Sequence, residues 1–217
     1  MGLVVVKLGG SLLQCEELRR QLRTLLAQRD ADRLLLVVGG GSAADVVRDW
    51  SNLYGLSESM AHAVALRSLA LTRSLMMHLL PEFQEVASLD DAACHWAHNR
   101  TPLLLDVERY LQRAELEDRN SLPHHWDVTS DSIAAWVASR WHADELILLK
   151  STALDSGMDL ALASRREFVD AYFPEVAVDL PRVNWCNLLE HPPRIRNWLR
   201  AGQLVEMSPS ADEAPSP

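Results

Sequence analysis

Twice within the first 54 residues, an apolar run without polar alternation stops at glycines and passes straight into a helical pattern. Residues 2–8 (GLVVVKL) lead into Gly9-Gly10-Ser11, and Arg33–Val38 (RLLLVV) leads into Gly39-Gly40-Gly41-Ser42. A strand with no polar face has to be covered on both sides, which is the condition of a strand inside a parallel sheet flanked by helices. Glu145–Lys150 (ELILLK) is a third run of this kind. The order strand, glycine turn, helix is the α/β arrangement in which loops at the strand carboxyl ends hold ligands. The fold expected is therefore α/β, with a mainly parallel central sheet.

Leu12, Leu18, Leu22, Leu25 and Leu26 recur at helical spacing over 12–29, with Arg and Glu opposite. Further helices are expected over 43–53, over 57–80 with Ser57 as N-cap and Pro81 as stop, over 90–98, and over 131–141 capped by Thr129 or Ser130. Short strands are expected at 85–88 and 102–105, and a loop at 121–126. Beyond Lys150 the pattern predicts a strand at 158–163, helices at 165–172 and 192–201, and a strand at 203–207. Residues 1–207 read as one domain, and the small, polar, proline-rich 208–217 as a disordered tail.

The formal net charge is −9, so no basic field draws nucleic acid or anionic lipid, and an anionic ligand must be captured by local donors. Cys15, Cys94 and Cys186 are odd in number and widely spaced, which speaks against a disulfide framework and for a reducing compartment. No apolar run approaches the ~20 residues that span a bilayer. The apolar stretch at the N-terminus lacks a preceding basic region and is too short for a signal peptide. A cytoplasmic protein without a membrane partner is expected.

Only two lysines occur, Lys7 and Lys150, against nineteen arginines, and each ends a buried-strand pattern. A compact ammonium can follow a moving phosphoryl group, whereas the arginine fork favours bidentate partners. Glycines beside Lys7 let backbone N–H groups approach phosphate oxygens, so the combination points to phosphate handling. Neither glycine cluster fits GxxxxGK[ST] or GxGxxG, and each taken singly is equally a plain structural turn. A third element, WDVTSDSIAAWVA, puts Asp131 at a helix start, where it either complements the helix dipole or faces the strand ends.

Other candidates have two readings each. Arg48, about two turns into the second helix, either meets an acceptor phosphate or is a solvated surface arginine. His124 and His125 are substrate contacts, acid–base groups or exposed turn residues, and Trp126 lines a pocket or anchors the core. Cys94, His95 and His98 share a helical stretch, but a structural zinc site needs four ligands and no second cluster occurs, so no metal ligands are assigned. Met76-Met77 end a helix whose apolar face is available to a partner subunit.

In this order, VVVKLGGSLL, VVGGGSAADVVR, TSDSIAA and LILLKS resemble the motifs of the amino acid kinase family, over approximately residues 1–157. The resemblance implies a three-layer α/β/α fold, homo-oligomers, use of ATP with Mg²⁺, and transfer of the γ-phosphoryl group to a small carboxylate, carbamate or phosphate acceptor. It implies that Lys7 stabilises the moving phosphoryl group and that Asp131 organises the lysines. Gly9, Gly10, Ser11 and Lys150 would serve the nucleotide; Gly39, Gly40 and Gly41, with Arg48 and Asp127, would serve the acceptor. Residues 122–131 (LPHHWDVTSD) resemble the branch of the family that phosphorylates [5-(aminomethyl)furan-3-yl]methyl phosphate in methanofuran biosynthesis. An amino acid acceptor that yields an acyl phosphate, and a non-catalytic nucleotide-binding protein, are the alternatives. The chain departs from the family late on: Ser156-Gly157-Met158 is at most a fragment of a GGM segment, and no lysine follows Lys150.

Overall fold

All three apolar runs are strands, within one residue of the expected ends: β1 (Leu3–Leu8), β2 (Arg33–Val38) and β5 (Glu145–Lys150). The computed structural model describes residues 2–30, 32–117 and 121–200. The remaining described strands are β3 (Gln84–Val86), β4 (Leu103–Leu105), β6 (Arg182–Asn187) and β7 (Arg196–Arg200). They form one sheet in the order β3-β4-β2-β1-β5-β6-β7, parallel throughout except for β7, which runs antiparallel to β6 at the edge. The chain leaves β1 toward β2 on one side and returns to β5 on the other. The carboxyl ends of β1 and its neighbours are therefore the switch point at which such sheets bind ligands.

The helices are α1 (Leu18–Leu26), α2 (Gly41–Tyr54), α3 (Glu58–Leu79), α4 (Leu89–His98), α5 (Val107–Glu117), α6 (Ser130–Arg140), α7 (Leu160–Arg165) and α8 (Phe173–Ala177). Alternate residues of β1 feed two cores. Leu3 and Val5 pack with α5, α6 and α8 on one face, while Val4, Val6 and Leu8 pack with α1 on the other. These are the layers of an α/β/α sandwich. Helix α6 lies across β1 and β5 and is buried from Asp131 to Ala138, its Ala134, Ala135 and Ala138 allowing close approach to the sheet. No helix among the described residues is long and apolar enough to cross a membrane.

Several expectations need correction. The helix expected over 12–29 is broken: Gly10–Gln14 is a 3-10 turn, Cys15 is extended, and α1 begins only at Leu18. The tighter turn buries Leu12 in the same core as Leu18 and Leu22. At 158–163 there is no strand, because Asp159 accepts the Leu162 N–H at 2.6 Å and caps α7. The helix expected at 165–172 fails where the chain turns left-handed at Glu167 (φ 58°). At 192–201 the open edge of β6 recruits the chain as β7 instead of a helix. Helices α5 and α8 and strand β6 had no sequence expectation. Met76 itself is fully buried in the core, whereas Leu71 and Leu75 on the same helix are exposed. The strand expected at 203–207 and the tail at 208–217 lie outside the described residues.

Candidate active site

Lys7 is the fifth residue of β1, whose odd-numbered positions face α6, and Lys150 ends β5 on the same face, beyond Leu146 and Leu148. Asp131 enters from the first turn of α6 and lies between them. Lys7 Nζ is 2.8 Å from Asp131 Oδ1, and Lys150 Nζ donates to Oδ2 at 2.7 Å. The Lys7 contact is an ion pair without hydrogen-bond alignment. Lys150 Nζ also donates to the Phe168 carbonyl at 2.7 Å and lies 5.6 Å from the Trp185 ring centre. Lys7 and Asp131 are only 3% and 4% exposed.

Burial alone would raise the Asp131 carboxyl, but the ammonium groups of Lys150 and Lys7 outweigh it and hold it down at about 2. Burial lowers Lys150 to about 8, with Lys7 adding to the fall and Asp131 opposing it. Two ammonium groups against one carboxylate leave the cluster with one surplus positive charge at the strand ends. A surplus buried cation of this kind suits an anion, with Asp170 the next negative charge acting on Lys150.

The two glycine turns meet above this cluster. Gly9 N–H donates to Leu149 O at 2.8 Å and Gly39 N–H to Leu8 O at 2.9 Å, so both turns continue the sheet ladder. Any Cβ on Gly10 would fall 2.2 Å from the Gly41 nitrogen, and Gly41 itself adopts φ +55°. Only glycine permits that backbone approach. Ser11 Oγ reaches Ser151 Oγ at 3.2 Å, linking the β1 turn to the end of β5.

Beside the turns opens a cavity of about 520 Å³, bounded by Gly10, Ser11, Gly40, Gly41, Arg48 and Trp126, with Leu66 and Leu69 among its apolar walls. Arg48 pairs with Asp45 at 2.8 Å and stands 5.1 Å over the Trp126 ring. Trp126 is thus a cavity residue, and His125 lines the same cavity. Asp127 is not brought in: its exposed carboxylate lies 3.4 Å from His125 Nδ1, away from the cavity lining. Lys7, Asp131 and Lys150 adjoin the cavity through the glycine turns without lining it. His124 meets Glu115 at 2.8 Å, and His98 Nδ1 meets the Cys94 carbonyl at 2.9 Å. No group of three His, Cys, Asp or Glu side chains among the described residues is placed to hold a metal ion.

Sequence reasoning missed two residues. Asp170 Oδ2 accepts from Thr129 N–H at 3.0 Å, Thr129 Oγ1 at 2.7 Å and Ser132 N–H at 3.0 Å. Its Oδ1 accepts from Ser132 Oγ and from Phe173 N–H. Thr129 is the N-cap residue of α6, yet its hydroxyl serves Asp170 instead of the helix. Asp170 therefore anchors the helix start that carries Asp131. The hydroxyl run Thr129-Ser130-Asp131-Ser132 was the available signal, since so many donors at one turn require an acceptor. His62 lies in the cavity wall and stacks on His124, their ring centres 4.7 Å apart. Nothing in its helical surroundings singled it out.

Residues 2–153 match the model of the amino acid kinase family. A relative from Methanocaldococcus jannaschii, "[5-(aminomethyl)furan-3-yl]methyl phosphate kinase", is 22% identical over 154 residues, 66% of this chain and 63% of its own length. The chain thus spans less than two thirds of that relative. The fold is similar to the UMP kinase of Ureaplasma parvum, with TM-score 0.59 and 11% identity over 88% of this chain and 92% of that one. It is equally similar to the UMP kinase of Bacillus anthracis, with TM-score 0.58 and 14% identity over 87% and 88%.

Proposed function

Because the chain belongs to the amino acid kinase family, we propose that it transfers the γ-phosphoryl group of ATP to a small anionic acceptor. The observation that bears most weight is the Lys7–Asp131–Lys150 cluster, with its surplus positive charge, beneath two glycine turns in backbone contact. Phosphoryl transfer asks the protein mainly for positioning and charge stabilisation. An acceptor oxygen attacks the γ-phosphorus while the bond to the β,γ-bridging oxygen breaks, leaving ADP.

Lys7 neutralises charge on the moving group, and Asp131 fixes both ammonium groups without supplying a proton. An ammonium about 4 Å from a developing oxyanion contributes roughly 4 kcal/mol at an effective dielectric near 20. Lys150 and the backbone N–H groups of Gly10 and Ser11 serve the nucleotide phosphates, with Gly9 shaping the turn while its own N–H completes the sheet ladder. The close Gly10–Gly41 approach, which any Cβ would block, suits a backbone cradle for phosphate. Both Asp131 oxygens are engaged by lysines, so Mg²⁺ would be held chiefly by the nucleotide, where it neutralises phosphate charge.

The acceptor we assign is [5-(aminomethyl)furan-3-yl]methyl phosphate, converted to its diphosphate. Its support is the relative of that name and a cavity whose size and Trp126, Leu66 and Leu69 walls suit a small ring. Gly40 and Gly41 would receive the acceptor phosphate, with Gly39 shaping the turn below them and Arg48 at the mouth. Exposed Val46, Trp50, Leu53 and Tyr54 form a stripe on α2 suited to a homo-oligomer contact. Coupled ADP release with the furan phosphate, acetylglutamate and glutamate tests the assignment. Turnover confined to an amino acid replaces the acceptor, and ATP binding without turnover on any of them defeats the kinase reading.

A further inference from the structure

His62 is only 9% exposed, yet neither of its ring nitrogens has a hydrogen-bond partner among the described residues. One ring face is covered by His124, stacked at 4.7 Å and 6° between planes, and His124 is in turn held by Glu115 at 2.8 Å. The imidazole is thus fixed in place in the cavity wall, with its polar atoms unused. Although the side chain is mostly buried, its nitrogens are not sealed off and the ring lines the cavity, so a ligand there can reach them.

The charge around it narrows the ligand. Burial, then His124, lowers the His62 pKa, with Glu115 opposing and His125 adding a smaller fall. At neutral pH the ring is therefore uncharged and offers a lone pair. A neutral ring has one N–H donor and one lone pair, and the lone pair suits a cationic donor. The same cavity has Arg48 and the glycine turns for an anionic group. A molecule with an anionic and a cationic end would be oriented by this wall.

We propose that His62 is a specificity-determining residue of the acceptor site, accepting a hydrogen bond from a primary ammonium group that the acceptor carries away from its phosphate. The inference rests on the acceptor reading above and deepens it. It predicts that the amine contributes to binding although it takes no part in the transfer.

The experiment compares kcat/KM for [5-(aminomethyl)furan-3-yl]methyl phosphate and for the analogue with methyl in place of aminomethyl. The wild type should favour the amine by about tenfold to a hundredfold, the range for hydrogen bonds to charged groups. In His62→Phe, which keeps a ring to stack on His124, that ratio should collapse toward one, through KM more than kcat. His62→Gln, which keeps an acceptor atom, should restore part of it. A purely structural role lowers both acceptors by the same factor and preserves the ratio, which overturns the proposal. Wild-type turnover of both acceptors without preference also overturns it while leaving the kinase reading intact. Turnover of neither removes the furan acceptor and this proposal together.

Discussion

Lys7, Asp131 and Lys150 sit on two strand ends and a helix start, Lys7 and Asp131 almost wholly buried and the Lys150 side chain 14% exposed, with each ammonium 2.7–2.8 Å from the carboxylate. Arg48, His62 and Trp126, which line the neighbouring cavity, come from α2, α3 and the loop before α6, and Arg48 is about half exposed. The first group is fixed by the sheet itself. The second is set on helices and a loop that can change without moving a strand. The contrast suggests a division of labour, with rate governed by the buried cluster and acceptor choice by the wall. Each experiment below can break or sharpen that division.

Removal of Lys7 should have the largest effect. Lys7→Ala leaves Asp131 paired with Lys150, so the fold should persist by circular dichroism. Loss of one preorganised charge donor lowers kcat by about 10²–10³. The acceptor KM should move little. A kcat within about tenfold of wild type would remove the cluster from the chemistry. Lys7→Arg should also be impaired, because the planar fork cannot replace a point charge at a strand end.

Lys150 supplies the next effect, through pH. With its pKa lowered to about 8 by burial and by Lys7, against Asp131, kcat should fall as pH rises past that value and the ammonium is lost. Fold stability should move the opposite way. The unfolded chain keeps this proton up to its ordinary pKa of 10.5, so between about 8 and 10.5 it binds more protons than the native state, and this group makes stability rise with pH. Lys150→Arg, which stays charged, should abolish the alkaline limb in kcat. A limb unchanged in that variant would assign the titration to another group.

The buried cluster was also the more legible half of the site. Strands β1, β2 and β5 were readable because short apolar runs of this length suit strands covered on both faces, and glycines marked where β1 and β2 must turn. The identities of Lys7 and Lys150 stood out against nineteen arginines. Their shared contact with Asp131 was expected only through the family resemblance, since it depends on α6 crossing β1 and β5, a tertiary fact. The region after Lys150 was misread for a related reason. Strand β7 exists only as the partner of β6, and Asp170 acquires its role from donors 38 to 41 residues earlier. Local spacing records neither. His62 was invisible because its α3 neighbours make an ordinary helix pattern, and only the cavity gives the ring its meaning.

Asp170 tests whether the buried cluster depends on its scaffold. Asp170→Asn keeps the shape but removes the charge that receives Thr129 and Ser132. The expected loss is about 1.5–3 kcal/mol of stability, the range for a hydrogen bond to a charged group, measured by urea unfolding. Acting through the start of α6, the change should lower kcat several-fold and leave the acceptor ratio of the His62 experiment unchanged. An altered ratio would show that scaffold and wall are coupled.

Arg48 should give the smallest effect, and one confined to the wall. Its partners are exposed Asp45, three residues earlier on α2, and the face of Trp126. Surface ion pairs of this spacing contribute little, and a cation over an exposed ring contributes about 0.5–1 kcal/mol. If Arg48 meets the acceptor phosphate with similar strength, Arg48→Ala should raise the acceptor KM about two- to fivefold and leave kcat near wild type. A fall in kcat comparable to that of Lys7→Ala would place Arg48 in the transition state and end the division of labour. An unchanged KM would leave it as a surface arginine, with the glycine turns alone receiving the acceptor.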